Sequence, residues 1–207
     1  MYHFTVSMAL MDYLPVIFFG VTMVILQQDL YGKMRPGVYT LFSAGTVNVF
    51  MAGFLKATWK LLYAANICDF VLLEKMFLPV NSIGLLMVGL SLIGMMCCKR
   101  KGVSVFSVVP AAVRGSFLFI MMMVVGLGSM CAVLSVLAAR MRKKGTALLF
   151  VLSFAAAMGM GYMSSQDSTL AWVNWAEQSI NTVSQLCLMC GTLILHKAGL
   201  KDLKIAA

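Results

Sequence analysis

GVSVFSVVPAAVRGSFLFIMMMVVGLGSMCAVLSVLAA, residues 102–139, is an apolar stretch of 38 residues interrupted by Pro110 and Arg114. As one α-helix it would be about 57 Å long at ~1.5 Å per residue, against a bilayer hydrocarbon core of about 30 Å. It is long for one crossing and short for two, and the number of membrane crossings turns on how it is read.

The surrounding sequence is less ambiguous. Ala9 to Gln28, Val38 to Tyr63, Phe77 to Cys98, Thr146 to Met163 and Trp172 to Leu195 (residues 9–28, 38–63, 77–98, 146–163 and 172–195) are apolar runs bounded by charges or turn residues. With 61% hydrophobic and 11% charged residues and a mean hydropathy of +0.93, the chain is far more apolar than a soluble domain, where about 25% of residues are charged. Residues 1–207 therefore read as a single transmembrane domain whose first partner is the lipid bilayer. The first run lacks Lys or Arg ahead of it and has no small-residue cleavage pattern, so it is expected to be a retained helix rather than a signal peptide.

Lys and Arg concentrate on the cytoplasmic ends of membrane helices, and both chain ends give an orientation. Lys33 and Arg35 follow the first span, whereas Lys197, Lys201 and Lys204 follow the last. The N-terminus is thus expected outside and the C-terminus in the cytoplasm, which requires an odd number of crossings. The fold expected is an all-α polytopic bundle of seven transmembrane helices, six being the alternative, with residues 102–139 forming a tight pair that turns at Gly126 to Ser129 or at Arg114 to Ser116. A re-entrant segment over Val103 to Val113 is a further option, allowed only where protein or water covers its backbone. The net charge of +9 arises from these flanking clusters and implies no nucleic-acid partner. A multi-pass protein of a cell membrane, of the bacterial cytoplasmic type, is expected.

A faint internal echo accompanies the charge pattern. Val80, Asn81, Ser82 and Ile83 recur in kind as Ile180, Asn181, Thr182 and Val183, and Lys33, Met34, Arg35 as Arg140, Met141, Arg142. Two three-helix repeats joined by a linker helix would give seven crossings with both basic turns inside, as in parallel-repeat transporters.

The last span carries the clearest candidate for function. Asn174, Gln178, Asn181, Gln185, Thr192 and His196 are spaced by four, three, four, seven and four residues, which puts them in one stripe at about 100° per residue. A lipid-facing amide would leave donors and acceptors unsatisfied at several kcal/mol each, so the stripe must face the bundle or a wet cavity. It serves either as helix–helix adhesion or as the lining of a polar route. Glu177 on its shoulder is a costly carboxylate for a membrane segment, able to couple a proton or to sit hydrated at the interface.

In the second span Lys56 and Lys60 lie one turn apart, with Trp59 beside them. Lys60 is expected to snorkel to the interface, Lys56 to be the more buried. Seven crossings put Lys56 and Glu177 on the same side, where they can pair; six crossings put them at opposite faces, where they cannot. Arg114, four residues after the helix-perturbing Pro110, is a candidate anion or substrate contact. Asn48 and Asn81 read as helix adhesion.

Other chemistry finds little support. Cys187 and Cys190 form a CxxC within apolar sequence, without the electropositive setting that lowers a thiol pKa, and with His196 they make no tetrahedral metal set. The scattered methionines suit flexible packing. Nucleotide-binding, HExxH and GxSxG signatures are missing, and His3 and His196 are the only histidines. No catalytic residue, metal or cofactor is expected. The function expected is a small transporter or channel for a small polar or zwitterionic solute, lined by Asn174, Glu177, Gln178, Asn181, Gln185, Lys56, Trp59 and Arg114. The alternatives are a non-catalytic sensor, assembly factor or subunit of a larger membrane complex, acting as a homo-oligomer or with a membrane partner, and an intramembrane enzyme acting on lipid or peptide.

Overall fold

The computed structural model describes residues 5–97, 116–163 and 171–203. Among these, six helices are long and apolar enough to cross a membrane: α1 (Val6–Leu30), α2 (Pro36–Ala64), α3 (Val71–Cys97), α4 (Ser116–Arg140), α5 (Lys144–Met163) and α6 (Ala171–Lys197). A 3-10 turn, Leu200–Asp202, follows α6.

Among the described residues six membrane-length helices stand where seven were favoured, which is the alternative count. The stretch 102–139 contributes one described helix, α4, which runs unbroken through Gly126 to Ser129. The reason is local. Ser129 satisfies its hydroxyl inside the helix by donating to the Val125 carbonyl at 2.6 Å, and Gly126 serves close packing rather than a turn. Pro110, Arg114 and Val103 to Val113 lie outside the described residues.

Each helix packs on the next and α6 closes back on α1, so the six form a ring. Side-chain contacts fix the directions. Gly53 meets Val16 and Gly20 meets Phe50, while Gln27 reaches Thr46 at 2.6 Å, making α1 and α2 antiparallel. Gly45 meets Gly84 and Met87, and Lys56 lies over the Phe77 ring, so α2 and α3 are antiparallel as well. Gly128 against Phe154 and Ser135 against Ala147 set α4 and α5 antiparallel, as Ser153 with Ser184 and Phe150 with Gly191 do for α5 and α6.

Two seams differ. Asn81 meets Met123, Leu85 meets Gly126, and Gly89 meets both Gly126 and Ser129, so α3 and α4 run parallel. Likewise Gln178 donates to the Met11 carbonyl near the start of both helices and His196 meets Asp29 near their ends, so α6 is parallel to α1. The ends of the described chain therefore lie at opposite ends of the bundle even with six helices. We call the end where α1, α3, α4 and α6 begin the upper end. Cys97 lies at the lower end and Ser116 at the upper.

The ring thus divides into two three-helix units, α1–α3 and α4–α6, with the same order and directions of helices. Within each unit neighbours are antiparallel; the third helix of each is parallel to the first of the other. The Gly20–Phe50 contact of α1 with α2 has its counterpart in Gly128–Phe154 of α4 with α5. Small residues mark the close approach of second to third helices, Gly45 with Gly84 and Ser153 with Ser184. The basic turns Lys33–Arg35 and Arg140–Arg142 each join the first helix of a unit to its second, both at the lower end.

The lower half is a solid apolar core of Met23, Leu26, Phe42, Val88, Leu92, Met130, Leu134 and Leu188, all buried. Outward-facing Ile17, Val24, Val47, Leu148, Val151 and Val183 are exposed, the surface that meets lipid. A Cβ on Gly126 would sit 2.4 Å from the Leu85 carbonyl carbon, whereas one on Gly145 would meet nothing within 4 Å. Gly126→Ala is accordingly expected to cost about 1–3 kcal/mol, the range for overpacking, and to lower the thermal midpoint in detergent. Gly145→Ala should leave it unchanged or raised. Equal midpoints for the two variants would refute the close approach.

A polar cavity in the upper half of the ring

Above the apolar core the ring does not close on itself. A cavity of about 410 Å³ occupies the upper half, and every one of the six helices contributes to its wall. That volume lies within the range of small-molecule sites, about 300–1,000 Å³. Its floor is Phe19, Val49, Leu85 and Leu127; Phe50, Phe77, Met123 and Met158 complete the apolar part of the wall.

The polar groups are stacked by height. Along the helices that carry them, Asp12, Lys60, Lys56, Glu177 and Gln178 lie nearer the upper end, Asn81 and Asn181 farther down, and Gln185 farthest down α6. From Glu177 to Gln185 the drop is about 12 Å at ~1.5 Å per helical residue. The Oε1 of Gln185 is buried with no hydrogen-bond partner among the described residues, an uncommon and costly state for a buried acceptor.

Two prolines shape the wall. Pro15 lacks an N–H, so the Met11 carbonyl four residues before it loses its helical donor. The chain turns at Asp12 between the short segment Val6–Met11 and the helix Tyr13–Leu30, and Gln178 Nε2 caps the released carbonyl at 3.2 Å. At this junction the Asp12 carboxylate lies 2.6 Å from the Lys60 ammonium, with side chains only 9% and 13% exposed. Pro79 similarly sits inside α3, two residues before the cavity-lining Asn81.

Of the residues singled out in the sequence, Lys56, Glu177, Gln178, Asn181 and Gln185 converge on this cavity. Six helices were expected to separate Lys56 from Glu177; instead the two are on the same side of the bundle and within electrostatic reach, because α3 and α4 run parallel. Asn174 is buried in the same helix stripe but does not line the cavity. Trp59 is also buried away from it, donating its indole N–H to Asp69 at 3.1 Å and packing on Tyr63. Arg114 lies outside the described residues.

Three wall residues were not read as such from the sequence. Lys60 does not snorkel outward, because Asp12 draws it in; Asp12 itself attracts little notice near the start of an apolar run; Asn81 was assigned to adhesion. The signal available for Asn81 was its echo in Asn181, which occupies the third helix of the other unit and the same cavity.

The stripe on α6 proves to have two uses. Its upper part opens on the cavity, whereas lower down Thr192 is fully buried, and on the adjoining shoulder Ser184 donates to the Ser153 carbonyl. His196 Nδ1 sits 3.0 Å from both carboxylate oxygens of Asp29, whose side chain is 1% exposed. Beside them Lys33 donates to the Leu203 carbonyl. Burial lowers the Lys33 pKa from its ordinary value, and the nearby Asp202 and Asp29 carboxylates oppose that shift. Together these contacts hold α1, the α1–α2 turn and the chain after α6 at the lower end. Among the described residues no group of three His, Cys, Asp or Glu side chains is arranged to hold a metal.

Breaking a buried ion pair from one side costs more than removing both partners. Lys60→Met is therefore expected to destabilise by about 3 kcal/mol, and adding Asp12→Asn to recover much of that loss. Additive losses in the double variant would show that the two side chains do not interact. The chain matches no known family, no curated protein and no solved structure, and its functional reading rests on this cavity.

Proposed function

We propose that the protein is a membrane carrier that admits a small polar solute to the cavity from the upper end. The observation that carries this reading is the cavity itself: four charged and four amide side chains lining one chamber inside an apolar bundle. Intramembrane ionisable groups are expensive and mark pathways or ligand sites far more often than inert packing. Adhesion between helices needs polar pairs in contact, as at Ser153 and Ser184, not an open chamber.

The arrangement of helices supports the same reading. Parallel repeats related by an axis along the membrane normal, with polar groups between them near the middle of the bundle, are the architecture of one class of secondary carriers. The lower end carries Lys33, Arg35, Arg140, Arg142, Lys143, Lys144, Lys197 and Lys201, against Lys75 at the upper end outside the cavity. By the charge rule the lower end is cytoplasmic and the chamber opens away from the cytoplasm. About 18 Å of packed apolar side chains, the rise from Gln185 to Lys197, closes the cytoplasmic side, so passage requires a second arrangement of the two units.

In reconstituted vesicles, solute retained after washing is to be measured by mass spectrometry across a panel of amino acids, betaines, polyols and amides. At least one class should accumulate with wild-type protein, and Asn181→Leu and Gln178→Leu should each lower that uptake tenfold or more while retaining a cooperative melt. Unchanged uptake in both variants, or no uptake of any class by the wild type, would count against the carrier.

A further inference from the structure

The charges in the chamber constrain what it holds. Lys60 is neutralised by Asp12 at 2.6 Å. Lys56, one helical turn away, has no carboxylate within salt-bridge distance among the described residues; its ammonium rests 4.2 Å from the centre of the Phe77 ring. A cation–π contact offsets only part of the cost of withdrawing an ammonium from water. An anionic group brought to Lys56 meets the remainder. Glu177, on the α6 wall, is near enough to act on Lys56 electrostatically without joining it in a direct pair.

Charge balance narrows the class further. Asp12, Lys60, Lys56 and Glu177 sum to zero, so a simple anion or a simple cation would leave net charge in a low-dielectric chamber, whereas a molecule carrying both signs leaves none. Below the charges the wall changes character, to Asn81, Asn181 and Gln185 over an apolar floor. Uncharged hydrogen-bonding groups suit an uncharged side chain and offer no counter-charge to an ionised one.

Building on the reading of the chamber as a solute site, we propose that it binds an α-amino acid with an uncharged side chain. Lys56 receives the carboxylate, Glu177 the ammonium, and the side chain points down toward Asn81, Asn181 and Gln185. Glu177 has acceptor positions enough to take an ammonium alongside its existing contacts.

The test uses the purified full chain in detergent, with L-glutamine as probe beside its two truncated forms, 4-aminobutanamide without the carboxylate and glutaramate without the amine. Binding is read by titration calorimetry and by the shift of the thermal midpoint. Glutamine is expected to bind, each truncated form at least tenfold more weakly. Lys56→Met should lose the advantage of glutamine over 4-aminobutanamide while keeping its own melt, and Lys56→Arg should restore part of it. Glutaramate binding as tightly as glutamine, or glutamine binding equally to wild type and Lys56→Met, would overturn the zwitterion assignment. So would a folded wild-type protein that binds none of the three. The carrier reading stands or falls separately, on whether any solute class accumulates in vesicles and on its sensitivity to Asn181→Leu.

Discussion

The contact on which the architecture depends is the approach of α4 to α3 at Gly126. Its Cα lies close enough to the Leu85 and Gly89 backbones that no side chain fits between them. Membrane helices gain little from burying apolar surface against one another, since lipid is equally apolar; close packing at small residues supplies the attraction instead. Here that packing joins two helices running in the same direction, and the parallel seam lets the second unit repeat the first. α6 then meets α1 in the matching parallel seam, and the ring closes around a chamber shared by both units.

The chamber follows from how the two seams are filled. Toward the lower end large side chains, Phe42, Leu92, Met130, Leu134 and Leu188, pack into one apolar core. Toward the other end polar side chains of α1, α2, α3 and α6 face inward, and their shared need to avoid lipid holds them there. The irregular backbone at Asp12 is tolerated at membrane depth for the same reason: Gln178, from the stripe, supplies the hydrogen bond that Pro15 withholds.

How much of this could be read from the sequence varies with the range of the interaction involved. The inward face of α6 was legible because one helix and its 3.6-residue period decide it. The opposed placement of the chain ends was legible because charge clusters report it locally. The turn expected at Gly126 to Ser129 was misread, since glycine and serine suggest a bend; in the fold they are a packing face, a property of Leu85 and Gly89 some forty residues earlier. The Asp12–Lys60 pair was illegible for a similar reason: Lys60 read as snorkelling to the interface and Asp12 drew no notice, and only the antiparallel pairing of α1 with α2 brings them to 2.6 Å. Asn174 and Trp59 share the sequence signature of their neighbours yet pack into the protein, because a periodic stripe does not say which part of it meets a void.

The closure of the ring by its first and last helices bears on how the protein is made. Asp29 and His196 are separated by 167 positions in the chain, and synthesis proceeds at about 5–20 residues per second. The buried carboxylate on α1 therefore waits on the order of 10–30 s for its partner to leave the ribosome. Through that interval the inward faces of α1, α2 and α3 form an open half-ring, with Asp12, Asp29, Lys56 and Lys60 at its concave side. The last helix to be made is thus the one that closes the ring and covers the inward polar groups of the first three.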